Sequence, residues 1–113
     1  MVKVECIIRP EKVSNVKSAI SSVGVHGMTV TEVIGCGLQK GHPEELNWNT
    51  ELNINLLPKT KIETVVPEEK VSEIVSAIIG AAKTGEIGDG KIFLSPVTEA
   101  IRIRTGETGK AAV

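Results

Sequence analysis

The first residues alternate in character. Val2, Val4, Cys6 and Ile8 recur at every second position with mostly polar partners between them, the period of a half-buried strand. The period then lengthens. Val13, Val16, Ala19, Ile20 and Val23 recur at helical spacing behind Pro10, and proline suits a first helical turn, where its missing N–H is not needed. Residues 28–34 are rich in β-branched side chains and predict a strand that ends at Gly35-Cys36-Gly37. Residues 54–66 predict a strand interrupted at Pro58. Val71, Ile74, Val75, Ile78, Ala81 and Ala82 mark a second helix behind Pro67. Gly24 and Gly85 stand where helix C-terminal glycines belong. A strand over residues 91–94 and a short edge strand over residues 100–104 complete the pattern.

The two helical segments also resemble each other. Residues 11–20 and 69–78 share Glu-Lys-Val-Ser and a later Ser-Ala-Ile, each behind a proline, which points to an internal duplication. The order β-α-β, loop, β-α-β, tail predicts an α+β, ferredoxin-like double βαβ sandwich. Two helices cover one face of such a sheet. The other face needs a partner or must be polar, and self-association is the economical solution.

The 113 residues make one domain, 1–113, with a modest core. A net charge of -1 gives no sign of a nucleic-acid partner. Trp48 and Phe93 are the only aromatics, too few for a base-stacking platform. No apolar run approaches the ~20 residues of a membrane span, so direct membrane insertion is not expected. Cys6 and Cys36 lack metal-ligand spacing and read as reduced thiols of a cytoplasmic protein, with Cys6 in the core.

Candidate chemistry concentrates in residues 83–91 and 101–107. Gly88 and Gly90 permit a backbone in which N–H groups converge on an anion, and Lys91 adds a point charge. On an extended strand Arg102 and Arg104 would project from one face. A polyphosphate site and a tight turn beside solvated arginines fit these residues about equally. Residues 38–55 turn polar and are too long for a hairpin turn, which favours a flexible interaction loop. Its middle, Glu44, Glu45, Leu46, Asn47, Trp48, Asn49 and Thr50, carries the single tryptophan, a residue enriched at interaction hot spots.

Taken together, these stretches resemble the PII nitrogen-regulatory signal proteins over nearly the whole chain. The resemblance is carried by Ile7-Ile8-Arg9-Pro10, residues 27–33, residues 35–42, residues 57–63, residues 84–93 and residues 101–107. It implies a homotrimer with ATP or ADP in clefts between subunits, and 2-oxoglutarate beside Mg-ATP. By the same resemblance Gly88, Asp89, Gly90 and Lys91 hold phosphates, with Arg102 and Arg104 acting from across the interface. Gly27, Met28, Thr29, Glu63 and Val65 surround adenine and ribose. Gly35, Gly37 and Leu38 approach the nucleotide. Gly37, Gln39, Lys40, Gly41 and Lys59 receive 2-oxoglutarate, with Gln39 also on Mg2+. The implied partner of the loop is an ammonium transporter, a nitrogen-metabolism enzyme or a regulator.

This chain departs from the family pattern in its loop. Leu38 stands where many relatives have arginine. The chain has no tyrosine, so uridylylation of the loop is impossible, and no arginine lies between Arg9 and Arg102 to plug a channel. The leading expectation is a non-catalytic signal integrator. The alternative is a slow ATPase or nucleotide-only sensor of the same fold, for which Asp89 and Glu63 offer no obvious base.

Overall fold

Proline sets where both helices begin. In the computed structural model, which describes residues 1–38 and 54–113, Pro10 opens a single 3-10 turn, Pro10–Lys12, that runs into helix α1, Val13–Ser22. Pro67 stands just ahead of the matching turn, Glu68–Lys70, and helix α2, Val71–Ala82. The strands are β1 (Val2–Ile8), β2 (Thr29–Leu38), β3 (Ile54–Val66) and β4 (Lys91–Pro96). They form one antiparallel sheet in the order β2-β3-β1-β4. This is the expected ferredoxin-like α+β arrangement, built from two βαβ halves.

The core lies between the helices and one face of the sheet. Val4, Cys6 and Ile8 of β1 and Ile62 and Val66 of β3 pack against Val16 and Ile20 of α1 and Ile74, Ile78 and Ala82 of α2. Burial pushes the Cys6 thiol up to about 11, against the milder effect of a backbone hydrogen bond from Ile62. The opposite face is polar. Lys3 lies 3.7 Å from Glu63 and 3.9 Å from Glu5, and Lys61 lies 3.9 Å from Glu63. Charged side chains thus share this face with Ile7, Val65 and Phe93, whose register places them there.

Four expectations need correction. β3 runs unbroken through Pro58, because β1 pairs with it only from Thr60 onward and leaves one side of Pro58 without a neighbouring strand. β2 does not stop at Gly35-Cys36-Gly37 but continues through them, paired with residues 54–58 of β3. The expected loop of 38–55 therefore has strand at both of its ends. Gly24 does close α1 with φ +91°, but Gly85 does not close α2. The chain leaves that helix extended at Lys83. Residues 100–104 form no edge strand: Ile101 makes an isolated bridge to Thr108, with a turn between them. Gln39, Lys40, Gly41 and the loop residues Glu44, Glu45, Leu46, Asn47, Trp48, Asn49 and Thr50 lie outside the described residues.

Candidate functional site

The turn between α2 and β4 is organised around one carboxylate. Asp89 Oδ2 accepts the N–H groups of Thr84 and Gly85, both at 2.9 Å, and Oδ1 accepts the Thr84 hydroxyl. Arg9, at the end of β1, donates Nε to Asp89 Oδ1 at 3.3 Å and Nη2 to the Ile87 carbonyl at 2.9 Å. The Thr84 hydroxyl, the Thr84 and Gly85 amides and Arg9 hold the Asp89 carboxyl far below the usual carboxylate range. A depressed carboxyl lends its support above its unfolded pKa and loses it as pH falls through the folded value. The turn therefore keeps its anchor through the ordinary carboxylate range.

With Asp89 facing inward, Gly88 and Gly90 both take φ +103°. This is a left-handed region that side-chain-bearing residues avoid. Gly90 is also pressed against β1: a Cβ there would sit 1.8 Å from the Ile7 carbonyl oxygen. Among the described residues no acceptor takes the N–H of Gly88 or Gly90. Lys91 follows as the first residue of β4. From β3, Lys59 reaches across and donates Nζ to the Gly88 carbonyl at 2.8 Å. Gly35, Lys59, Glu86, Gly88, Asp89, Gly90 and Lys91 line a cleft of about 520 Å³ together with Ile7, Cys36 and Phe93. Here cationic ends and free turn amides meet, which suits an anion.

A second group of predicted residues lies elsewhere. Gly27, Met28, Thr29, Glu63 and Val65 gather with Lys3 and Thr64 around a smaller cleft, and Thr64 Oγ1 donates to the Gly27 carbonyl at 2.6 Å. Arg102 joins Gly27, Thr64 and Val65 in an adjoining cleft with His26 and Lys70. Six positions along β3 separate Lys59 from Val65, and six along β2 separate Thr29 from Gly35. At ~3.3 Å per residue the two groups sit roughly 20 Å apart in one chain.

The predicted pairing of Arg102 and Arg104 on a strand face does not occur. Residues 102–107 fold back on themselves, with the Arg102 N–H on the Glu107 carbonyl at 2.8 Å and the Gly106 N–H on the Arg102 carbonyl at 2.7 Å. The Gly106 backbone, at φ +73°, makes this reversal possible where alternation of Ile and Arg suggested a strand. The Arg102 guanidinium meets Glu107 at 3.1 Å. Such an exposed pair is worth roughly 0.2–1 kcal/mol, so an anion can displace it. Arg104 is exposed in the turn. Gly37 and Leu38 end β2 opposite Asn55 and Ile54.

Sequence reasoning missed the roles of Arg9 and Thr84. Arg9 is 80 residues from Asp89, and no spacing rule connects such a pair. Thr84, at five residues from Asp89, could have been found as a turn-closing hydroxyl.

The cysteines give this geometry a direct check. Cys36 is exposed at the cleft and Cys6 is buried. An alkylating reagent at neutral pH should modify Cys36 alone, with Cys6 reacting only after denaturation. Mass spectrometry of native and unfolded samples reads the difference.

The chain and its fold have counterparts in known proteins. Residues 1–107 match the family model "Nitrogen regulatory protein P-II". The chain is 55% identical to Nitrogen regulatory protein P-II 2 of Methanothermobacter thermautotrophicus, over 100% of this chain and 97% of the relative. It is 54% identical to the Nitrogen regulatory protein P-II of Rhodobacter capsulatus over the full length of both. A crystal structure of Arabidopsis thaliana PII bound to citrate superposes with a TM-score of 0.79 at 40% identity, covering 99% of this chain and 91% of that one.

Proposed function

The chain belongs to the nitrogen regulatory protein P-II family, and on that premise we propose that it is a cytoplasmic, non-catalytic signal transducer sensing ATP or ADP together with 2-oxoglutarate. One observation carries this reading. The phosphate-suited turn around Gly88, Gly90 and Lys91 lies at one end of the polar sheet face, and the cleft of Gly27, Thr29 and Val65, with Arg102 in the adjoining cleft, lies at the other. A nucleotide bound between two copies would take its phosphates into the first and its adenosine into the second, with Arg102 and Arg104 turned toward the phosphates. Closing the ring with three copies gives each the same two neighbours. On that face the exposed Leu57 and Phe93 offer apolar surface for that assembly.

Mg2+ would enter on the nucleotide, held by phosphates and the Gln39 oxygen, an ordinary arrangement for this hard cation. Lys59 would exchange its Gly88 carbonyl for a carboxylate of 2-oxoglutarate, with Gly37, Lys40 and Gly41 completing that subsite. Because Gly37 is the next-to-last residue of β2, at the base of the loop, ligand occupancy biases how the loop leaves the sheet. The loop, with Trp48 in its middle, then binds or releases an ammonium transporter, a nitrogen-metabolism enzyme or a regulator. An ATPase is the weaker reading. Asp89 is committed to the turn by Thr84, Gly85 and Arg9, and Glu63 pairs with Lys3 and Lys61, so neither is placed to activate water.

Complementation tests the shared site. Lys91→Ala and Arg102→Ala should each weaken Mg-ATP by roughly one to two decades, as expected for one lost charge-assisted hydrogen bond. Refolding the two variants together should restore a tight site, because one copy still brings Lys91 and its neighbour Arg102. Calorimetry on the mixture reads the recovered fraction. No recovery would mean that one chain supplies both residues.

A further inference from the structure

Arg9 carries no ligand role in the reading above, yet among the described residues both hydrogen bonds of its guanidinium go to the glycine turn. Its Nε meets Asp89 at 3.3 Å and its Nη2 meets the Ile87 carbonyl at 2.9 Å. A Cβ on Gly88 would come within 3.3 Å of Arg9 Nη2, so the guanidinium lies against the backbone of the turn as well as its side chain. Both partners of the ion pair are only about a quarter exposed, at 24% each. Arg9 stands immediately before Pro10, whose ring fixes its own φ and restricts the preceding residue. Arg9 is accordingly extended, at φ -63° and ψ 137°. The side chain is thus launched from a stiff junction between β1 and α1 toward a turn that belongs to the other half of the duplication.

We propose that Arg9 is a positioning residue that presets the 84–90 turn for phosphate. It clamps the Asp89 carboxylate inward and the Ile87 carbonyl aside. The N–H groups of Gly88 and Gly90 and the Lys91 ammonium are left to face the cleft. A planar fork serves here where an ammonium would not, because two acceptors must be met in fixed directions at once. The clamp also pairs the Asp89 carboxylate, one of two beside the cleft with Glu86, with a cation, so that it repels an anionic ligand less. This inference rests on the nucleotide reading for its ligand and on the geometry alone for the clamp.

The test separates the two. Amide hydrogen exchange of Thr84 and Gly85 is measured without nucleotide in the wild type, Arg9→Ala and Arg9→Lys, and Mg-ATP affinity is measured by calorimetry on the same samples. In Arg9→Ala the two amides should exchange at least several-fold faster while those of β1 and β3 keep their protection, and Mg-ATP should weaken roughly tenfold. Arg9→Lys should recover part of both effects, since it returns the charge without the fork. Unchanged Thr84 and Gly85 exchange in Arg9→Ala overturns the clamp. So does weaker Mg-ATP binding with unchanged exchange, which would place Arg9 on the ligand itself. If Arg9→Ala loses protection throughout β1 and β3, Arg9→Gln takes its place under the same criteria. A wild type that takes no Mg-ATP overturns the ligand half, and the exchange result still decides the clamp.

Discussion

Gly90→Ala should weaken Mg-ATP by roughly a hundredfold or more, the largest ligand effect of any single methyl group added to this chain. Two costs combine. A side chain at φ +103° is strained by roughly 1–2 kcal/mol. The added Cβ would also lie 1.8 Å from the Ile7 carbonyl oxygen, a distance that backbone against backbone cannot absorb. The turn must move off β1, and with it go Lys91 and the amides of the phosphate end. Gly85→Ala is the matched control. Its φ of +90° brings similar strain, but nothing lies within 4 Å of the new Cβ. That variant should lose the strain energy and little else, so its Mg-ATP affinity should fall no more than roughly tenfold. Calorimetry on both, after circular dichroism has shown that each is folded, separates displacement from strain. Equal losses would contradict the close approach at Gly90.

Ile74→Ala should be the most destabilising simple truncation, at roughly 2–5 kcal/mol. Ile74 has no exposed surface and packs with Ile78 and Ala82 of α2 against Val16 and Ile20 of α1 and the sheet. A chain of this size has ~5–15 kcal/mol of stability in total, so the loss is a large fraction of it. The aromatic-poor core leaves no large ring to slide into the void. Urea unfolding at one fixed protein concentration reads the change, since assembly makes apparent stability depend on concentration. Ile79→Ala, on the outer side of the same helix with 48% exposure, should cost well under half as much. A similar cost at both positions would mean that the helix is not seated as described.

Much of the fold was legible because its signals are local. The alternation at Val2, Val4, Cys6 and Ile8, and the helical spacing in residues 71–82, report which side chains face one core, and burial follows those patterns. Paired prolines announced both helix starts. The misreadings came where a local signal was overridden by what lies beside it. Pro58 breaks a strand only if both of its sides are occupied, and here one is open. Gly35 and Gly37 looked like a stop, yet pairing with β3 carries the strand through them. The alternation Ile101-Arg102-Ile103-Arg104 mimics a strand, but the chain reverses at Gly106 and pairs Ile101 with Thr108. At the candidate site the glycines and Lys91 were readable from composition. The inward turn of Asp89 was not, because its partner Arg9 is at the other end of the chain. Nor was the separation of the two clefts, which depends on strand register.

The central claim, a nucleotide and 2-oxoglutarate sensor, is tested most directly by one calorimetric titration of the purified protein, followed alongside by Trp48 fluorescence. Mg-ATP is added first and 2-oxoglutarate second, with the order then reversed. The account predicts saturable heat from Mg-ATP, heat from 2-oxoglutarate only when Mg-ATP is present, and a fluorescence change that places the response in the loop. Absence of saturable binding for either ligand, in either order, would contradict it.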